Sequence, residues 1–265
     1  MTNIFLLQLL LAFIVGALWI TTATIIAEKF GSKVGGIIAG MPSTIVIALF
    51  FIGSTQSVET ATKTTTIIPA IMGLDSLFIA IYILLLRHKL FISLGISLFV
   101  WFISSFILVL LKFDNYTISL LFFIFFVLVS YLLVEKIVKV KSQGKRQLNF
   151  TTSQIIFRIL LSGGIILLSV FMAKVGGYIL GGVFASFPAI MLSTMIITYL
   201  NHGRDFSAAV MKVMMVSGSV NVTIYSIGVH FLYPAFGIIT GTFISFAISF
   251  ITVTITSIFV NKKMS

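Results

Sequence analysis

Most of this chain is divided into apolar segments of about 18 or more residues, which are separated by short polar linkers. In the hydrocarbon core of a bilayer only helices and closed barrels satisfy every backbone polar group, and segments of this length predict helices. The residues are 59% hydrophobic and 9% charged, which excludes a soluble globular domain. We therefore predict an all-α polytopic membrane protein with about nine transmembrane spans, at residues 4–27, 34–55, 65–86, 90–111, 117–135, 153–173, 178–200, 207–230 and 234–260.

The basic residues that flank these spans are distributed unequally. If the N-terminus is outside, thirteen of them fall on one side of the membrane, and only Lys63, Lys112 and Lys174 fall on the other. Because basic loops stay in the cytoplasm, we predict a multi-pass plasma-membrane protein with its N-terminus outside and its C-terminus in the cytoplasm. The basic loop at 135–150 is expected to contact anionic lipid headgroups. This pattern accounts for the net charge of +11 without nucleic-acid binding.

A glycine-rich motif occurs twice in the chain. Residues 31–42 read GSKVGGIIAGMP and residues 177–188 read GYILGGVFASFP, so both fit G-x3-G-G-x2-A-x2-P at an offset of 146 residues. Such self-similarity predicts two copies of one unit. Spans 1–4 would form the first copy and spans 6–9 the second, and the unpaired fifth span would invert the second copy in the membrane. The predicted domains are residues 1–112, a connector helix with its basic loop at 113–150, and residues 151–265.

The prolines that end the two motifs are predicted to lie near the middle of the membrane. Pro42 is nine residues beyond Lys33, which is about 14 Å of helix in a core about 30 Å thick. Proline removes a backbone hydrogen bond, and an unpaired carbonyl at that depth is tolerated only beside protein or a watery cavity. Pro42, Pro188 and the motif glycines Gly36 and Gly182 are therefore candidate binding-site residues. The alternative is a pair of structural kinks with glycines that only allow close packing.

Asp75 is twelve residues from both Lys63 and Arg87, at the centre of the third span. A carboxylate there is costly unless it is paired, hydrated or protonated, and desolvation favours the protonated form, as proton coupling requires. The position 146 residues later is Asn221, at the centre of the eighth span, with Tyr225 one turn beyond it. We predict Asp75 as the titrating residue, Asn221 as its neutral counterpart and Tyr225 as a polar neighbour. The alternative is a structural hydrogen bond between Asp75 and Asn221.

The sequence does not predict an enzyme. Of its six carboxylates only Asp75 is predicted at the middle of the membrane, which excludes a paired-aspartate intramembrane hydrolase. The chain contains no H-E-x-x-H, G-x-S-x-G or P-loop motif and no cysteine. The three histidines form no ligand-spaced cluster, so we predict neither a metal nor another cofactor.

The second motif and its continuation resemble the GlpM-like family of small prokaryotic inner-membrane proteins with about four helices. The resemblance covers GVFASFPAIMLS at 182–193, NHGRD at 201–205 and the helix that begins SAAV at Ser207. The first repeat, from Gly35 through Pro42 to Glu59, has the same order of elements. The resemblance implies an ancestral four-helix unit that is duplicated here in opposed orientations, and it implies no activity.

We predict a secondary transporter of a small solute or ion that works by alternating access at a site between inverted repeats. Matching Gly/Pro interruptions in two halves of a membrane protein are typical of such transporters. A passive channel, a lipid carrier that accepts a charged headgroup, and a scaffold without transport activity remain alternatives. The predicted partners are the bilayer and a small solute, ion or lipid headgroup, and the sequence leaves open whether the chain forms a homodimer.

Overall fold

The computed structural model describes residues 3–29, 41–140 and 150–263, without the side chains of 24–29 and 257–263. The described residues form helices and no strand, which confirms the all-helical class. A π-helix, Leu133–Val138, follows α6. The α-helices are α1 (Asn3–Lys29), α2 (Ser43–Thr55), α3 (Val58–Thr64), α4 (Ile68–Leu85), α5 (Leu90–Leu110), α6 (Tyr116–Leu132), α7 (Thr152–Val175), α8 (Gly177–Ala185), α9 (Ala189–His202) and α10 (Arg204–Lys263).

Seven helical segments in the described part of the chain are long and apolar enough to cross a membrane, as in a multi-pass membrane protein. The shorter apolar helix α2 brings the number to eight, so the prediction of nine separate helices was wrong. The difference lies in α10, which is 60 residues long and joins the predicted spans 207–230 and 234–260. At about 1.5 Å per residue a straight helix of that length would be about 90 Å long, three times the thickness of the hydrocarbon core.

Helix α10 is too long to cross the membrane once as a straight helix, and it changes direction at Gly237. The φ of 76° and ψ of 175° at this glycine interrupt the helix in a conformation that only glycine adopts readily. The two arms fold back on each other, because Ser249 Oγ donates a 3.1 Å hydrogen bond to the Asn221 carbonyl. Nearer the corner, a Cβ added at Gly228 would lie 2.7 Å from Ser245 Oγ. Small residues thus allow the two arms to approach closely.

Helix α4 lies at the centre of the molecule, with most of its residues buried. Its Ser76 donates a 3.0 Å hydrogen bond to Ser219 Oγ in the first arm of α10, and Tyr82 shares one of 2.9 Å with Ser207. Higher numbers on α4 therefore pair with lower numbers on α10, so these two helices are antiparallel. The outer helices α1, α5, α6 and α10 expose large apolar side chains, as lipid-facing helices do.

Helix α6, predicted as a lipid-facing connector, also supports α4. The residue before α4, Ile67, makes no side-chain capping hydrogen bond, and Pro69 stands in the first turn of the helix. The backbone N–H of Ala70 donates a 2.9 Å hydrogen bond to Ser119 Oγ of α6. A Cβ at Gly73 would lie 3.2 Å from the Phe123 backbone, so the two helices are in close contact. The connector therefore contributes a polar partner to the central helix as well as an apolar outer face.

Candidate functional site

Two helices begin directly after the motif prolines, and the two starts have the same geometry. Pro42 precedes α2 with φ −77° and ψ 51°, and Pro188 precedes α9 with φ −75° and ψ 47°. In both places the next residue donates its N–H to the carbonyl before the proline, at 2.8 Å from Ser43 and 2.7 Å from Ala189. This is the hydrogen bond of an inverse γ-turn. The chain therefore turns sharply at equivalent positions of the two motifs.

A cavity of about 50 Å³ lies between these helix starts. A buried site that holds one water needs about 10–15 Å³ on this measure, so the cavity has room for a few waters or a small ion. Its described lining consists of residues 41–45 at the start of α2, residues 185–188 with Ile190 and Met191 around the start of α9, Met72 and Asp75 of α4, and Met214, Gly218 and Val222 of α10.

Asp75 is the one charged residue among the described lining residues, and only 1% of it is exposed. Its Oδ1 accepts a 2.6 Å hydrogen bond from Nε1 of Trp101, a buried residue of α5. Within the described ranges its Oδ2 has no hydrogen-bond partner. The Trp101 ring meets Phe187 edge to face at 5.2 Å, so one indole fixes the carboxylate and packs against the residue before Pro188.

Ser186 is a second buried polar residue of the lining. It is 4% exposed, and its Oγ has no hydrogen-bond partner among the described residues. Its repeat equivalent is Gly40, so the hydroxyl belongs to the second motif alone. Sequence reasoning missed both Ser186 and Trp101. The signals were a hydroxyl two residues before the helix-breaking proline, and an indole N–H in an apolar span, which requires an acceptor when buried.

Asn221 is fully buried on α10, but it is not among the described residues that line the cavity. Asp75 makes its one described side-chain hydrogen bond with Trp101, so the structural Asp75–Asn221 hydrogen bond is not formed. Tyr225 is also fully buried and likewise absent from the described lining. The structure thus brings Asp75 together with Pro42 and Pro188 but leaves Asn221 and Tyr225 outside the cavity wall.

The motif glycines have a packing role where the structure describes them. A Cβ at Gly182 would lie 2.7 Å from the Thr64 carbonyl oxygen, and one at Gly181 would lie 2.6 Å from the Cβ of Ala173. Gly182 therefore lets α8 approach the end of α3, and it does not line the cavity. Gly36 lies outside the described residues.

Two buried cations within the spans were also missed. Arg158 of α7 donates a 2.6 Å hydrogen bond from Nη2 to Thr194 Oγ1 and lies 5.5 Å from the centre of the Phe150 ring. Lys212 of α10 pairs with Glu135 of the π-helix at 2.6 Å and donates to the Val140 carbonyl. In the sequence, each is a charged residue a few positions inside a predicted span. Such residues are costly in a membrane, so both could have been noted as candidates for buried polar contacts.

Polar contacts between helices lie on both sides of the cavity. Toward the Arg87 end of α4, Ser207 Oγ is hydrogen bonded to Tyr82 at 2.9 Å and to Thr198 at 3.0 Å, and all three residues are buried. Tyr82 is seven residues from Asp75, about 10 Å along the helix. We call these three residues the hydroxyl cluster.

On the opposite side of the cavity, the helices meet at a histidine. Thr65 Oγ1 and His230 Nδ1 lie 2.8 Å apart, and the His230 ring stacks on Tyr116 at 4.0 Å. These residues join the turn between α3 and α4, the first arm of α10 and the start of α6. We call these three residues the histidine cluster.

A larger groove of about 510 Å³ lies where α4 ends and α10 begins. Its lining includes Arg87, Lys139 and Arg204, and Asp205, which pairs with Arg204 at 3.2 Å. Lys139 has a left-handed backbone conformation, with φ 55°, at the end of the π-helix. None of the described residues form a group of three or more His, Asp or Glu that could hold a metal ion.

The sequence profile of a family described as proteins of unknown function (DUF3147) matches residues 9–114 and 155–265. The chain belongs to this family. The two matched segments begin 146 residues apart, which is also the offset of the two motifs, and residues 115–154 between them are unmatched. No curated protein and no solved structure matches the chain. The resemblance to the GlpM-like family stays a prediction.

Proposed function

We propose that this protein is a secondary transporter of a small solute or ion, working by alternating access at the cavity between α2 and α9. The observation that carries the proposal is the meeting of two proline-broken helices at one cavity with a buried, half-satisfied carboxylate. Broken helices at the middle of the membrane are how transporters build substrate sites from backbone groups. Buried ionisable residues there are functional candidates by default.

The proposal includes two inverted repeats, with α6 and the π-helix between them. Three observations support it: the common offset of the motifs and of the two family matches, the matching backbone angles at Pro42 and Pro188, and the antiparallel packing of α4 against the first arm of α10. Repeats related by an axis in the membrane plane place equivalent helices antiparallel. Rocking of one repeat against the other would then expose the cavity to each side in turn.

Asp75 is the proposed coupling residue. No described cation pairs with it, and Trp101 satisfies one of its oxygens. A carboxylate taken out of water without a charged partner favours its protonated form, whereas contact with water restores the ionised form. Opening the cavity to one side would therefore exchange a proton with that side. This coupling makes the transporter gradient-driven, and we propose no enzymatic reaction for the chain.

The two polar clusters are the proposed gates. The hydroxyl cluster separates the cavity from the Arg87 side, which the charge distribution assigns to the cytoplasm, and the histidine cluster separates it from the outside. The cationic groove at the cytoplasmic side is the proposed contact for anionic lipid headgroups of the plasma membrane.

Uptake into proteoliposomes tests the proposal. Vesicles with an imposed pH gradient would be supplied with a panel of small inorganic ions and organic acids and amines, and internal pH would be recorded with a trapped dye. We expect one class of solute to accumulate with proton movement. Asp75→Asn should abolish accumulation against a gradient, while Glu59→Gln, which removes an exposed carboxylate paired with Lys63, should not.

Flux that persists without accumulation in Asp75→Asn and in wild type alike would indicate a passive channel instead. If no member of the panel moves and the Asp75→Asn protein only melts earlier, the residue is structural and the transport proposal fails.

A further inference from the structure

We propose that the central cavity binds a small monovalent anion together with a proton on Asp75, so that the pair crosses the membrane as a neutral unit. This inference rests on the transport function proposed above and names its substrate class. It is argued from the charge of the groups that face the cavity and from the hydrogen-bond donors that those groups leave free.

Two helix N-termini face the cavity from opposite sides. Helix α2 is 13 residues long and α9 is 14, and the first residues of both line the cavity. The first N–H groups of a helix have no partner within it, and the summed peptide dipoles give this end about half a positive charge. Val46 and Leu192 donate the first intrahelical bonds, to Pro42 and Pro188. Of the groups that precede them, the N–H groups of Ser43 and Ala189 are already bonded in the γ-turns, and the two N–H groups after each of these are the ones that bind anions at helix N-termini.

Two buried side chains add donors to these backbone groups. Ser186 has a hydroxyl without a partner among the described residues. Asp75 already accepts the Trp101 N–H at Oδ1, so its proton is best placed on Oδ2, the oxygen without a described partner. The protonated carboxyl then donates a hydrogen bond. With Asp75 protonated, the polar lining consists mainly of donors, which an anion satisfies.

Ionised Asp75 would itself be the anion that the helix ends stabilise. A second negative charge within the same cavity would be repelled strongly, because a low dielectric screens little. The described lining residues from α2, α8, α9 and α10, and Trp101 from α5, carry no other titratable group that could compensate it. Anion and proton therefore bind together, and each raises the affinity for the other.

The C-terminal end of α8 also reaches the cavity, and free carbonyls there would favour a cation. Its Gly182 and Phe184 carbonyls accept the N–H groups of Ser186 and Phe187, at 3.1 Å in both cases. Two of the last four carbonyls of α8 are thus occupied, so this end offers fewer free acceptors than the two helix starts offer donors. The volume of about 50 Å³ fits an ion of a few atoms, such as a halide, nitrate or formate.

Trp101 provides a direct readout of binding. The chain has two tryptophans, and Trp19 is 40% exposed on α1, so Trp19→Phe leaves the cavity indole as the sole reporter. Purified full-length Trp19→Phe protein would be titrated with sodium chloride, nitrate and formate at constant ionic strength, with gluconate as the large counter-anion. We expect saturable fluorescence changes, and the anion affinity should weaken about tenfold per pH unit over the range in which Asp75 of the empty cavity is ionised, since one proton binds with each anion.

Two further variants, made in the Trp19→Phe protein, distinguish a loss of anion–proton coupling from a loss of folding. Asp75→Asn places an uncharged donor where the protonated acid would stand, so it should bind the anion with an affinity that no longer depends on pH. Ser186→Ala should weaken binding several-fold while keeping the pH dependence. If Asp75→Asn does not fold, the pH dependence of Ser186→Ala beside its parent still tests the linkage.

Three results would overturn the inference: saturation that follows the sodium concentration, anion affinity that is independent of pH in the parent, or stronger anion binding as pH rises. Each leaves the transport proposal standing if the proteoliposomes still accumulate another solute with protons. Saturable binding of an anion at low pH without any uptake would support the site and contradict transport.

Discussion

At the scale of single residues, the site depends on one hydrogen bond in an apolar setting. Asp75 and Trp101 are both at most 2% exposed, and the indole N–H is the one described donor to the carboxylate. A buried carboxylate that loses its donor bears its full desolvation cost, because water does not replace the partner. Trp101 is therefore a positioning residue for Asp75, and its ring also supports the turn before Pro188 through Phe187.

We expect Trp101→Phe to lower the free energy of unfolding by about 1–3 kcal/mol, because the ring contact with Phe187 is largely kept but the donor to Asp75 is lost. The loss should be smaller at low pH than at high pH, since a protonated carboxyl depends less on a donor. Thermal melting followed by near-UV circular dichroism measures it.

Trp19→Phe is the matched control for that variant. Trp19 is 40% exposed and meets Phe246 edge to face at 5.8 Å. Its replacement should shift the melting temperature little at either pH. Equal shifts for the two variants would mean that the Asp75 hydrogen bond contributes nothing measurable.

The close packing at Gly182 leads to a second prediction for a single residue. A methyl group there would lie 2.7 Å from the Thr64 carbonyl oxygen, a backbone atom that cannot rotate away. We expect Gly182→Ala to destabilise the protein by about 1–3 kcal/mol through overpacking. Gly95→Ala is the control, because a Cβ there meets no atom within 4 Å and an alanine favours the helix. The melting temperature should fall for Gly182→Ala and rise slightly for Gly95→Ala. Similar destabilisation by both substitutions would contradict the packing argument.

At the scale of secondary-structure elements, the two broken helices are more important than any side chain within them. Helices α2 and α9 begin at prolines with backbone angles that agree within about 4°. The glycines of the motif bring α8 against α7 and α3, while the prolines turn the chain toward the cavity. Packing and interruption are thus separate roles of one motif, performed by different residues.

Replacing the proline separates these roles in experiment. Pro188→Ala restores an N–H and removes the ring that disfavours a continuous helix, so α8 and α9 should tend to join. We expect transport to fall at least tenfold while the melting temperature changes little or rises, because the helix gains a hydrogen bond. Uptake assays and melting curves on one preparation measure both. A fall in stability with normal specific uptake would assign Pro188 to a structural kink.

At the scale of the whole molecule, the proposed topology places the turn between α5 and α6 outside the cell and the turn between α4 and α5 inside it. The chain has no cysteine, so single introduced thiols report which side of the membrane they face. Lys112→Cys, in the turn between α5 and α6, should react with a membrane-impermeant maleimide on intact cells. His88→Cys, in the turn between α4 and α5, should react only after permeabilisation. The reverse pattern would invert the topology and exchange the proposed sides of the two gates.

Hydropathy alone predicted the helical class and most helix positions, because a bilayer allows few alternatives. Asp75 was predictable for the same reason, since a lone carboxylate stands out in an apolar span. Its partner Trp101 could not be predicted, because the two residues are 26 positions apart in the sequence and meet only where α5 packs against α4. A break was predicted between residues 230 and 234, and the corner lies slightly later, at Gly237. Asn221 was placed at the site by repeat arithmetic, but the cavity wall is formed by its neighbours Gly218 and Val222.

The hydroxyl cluster has a consequence for how transport would be driven. Tyr82, Ser207 and Thr198 are joined by hydrogen bonds between neutral groups, each worth about 0.5–1.5 kcal/mol net. Membrane voltage acts only on charge, at about 2.3 kcal/mol per elementary charge per 100 mV. A barrier without charges is therefore insensitive to the membrane potential and to ionic strength. The opening of this gate would therefore depend on temperature and not on the electrical state of the cell.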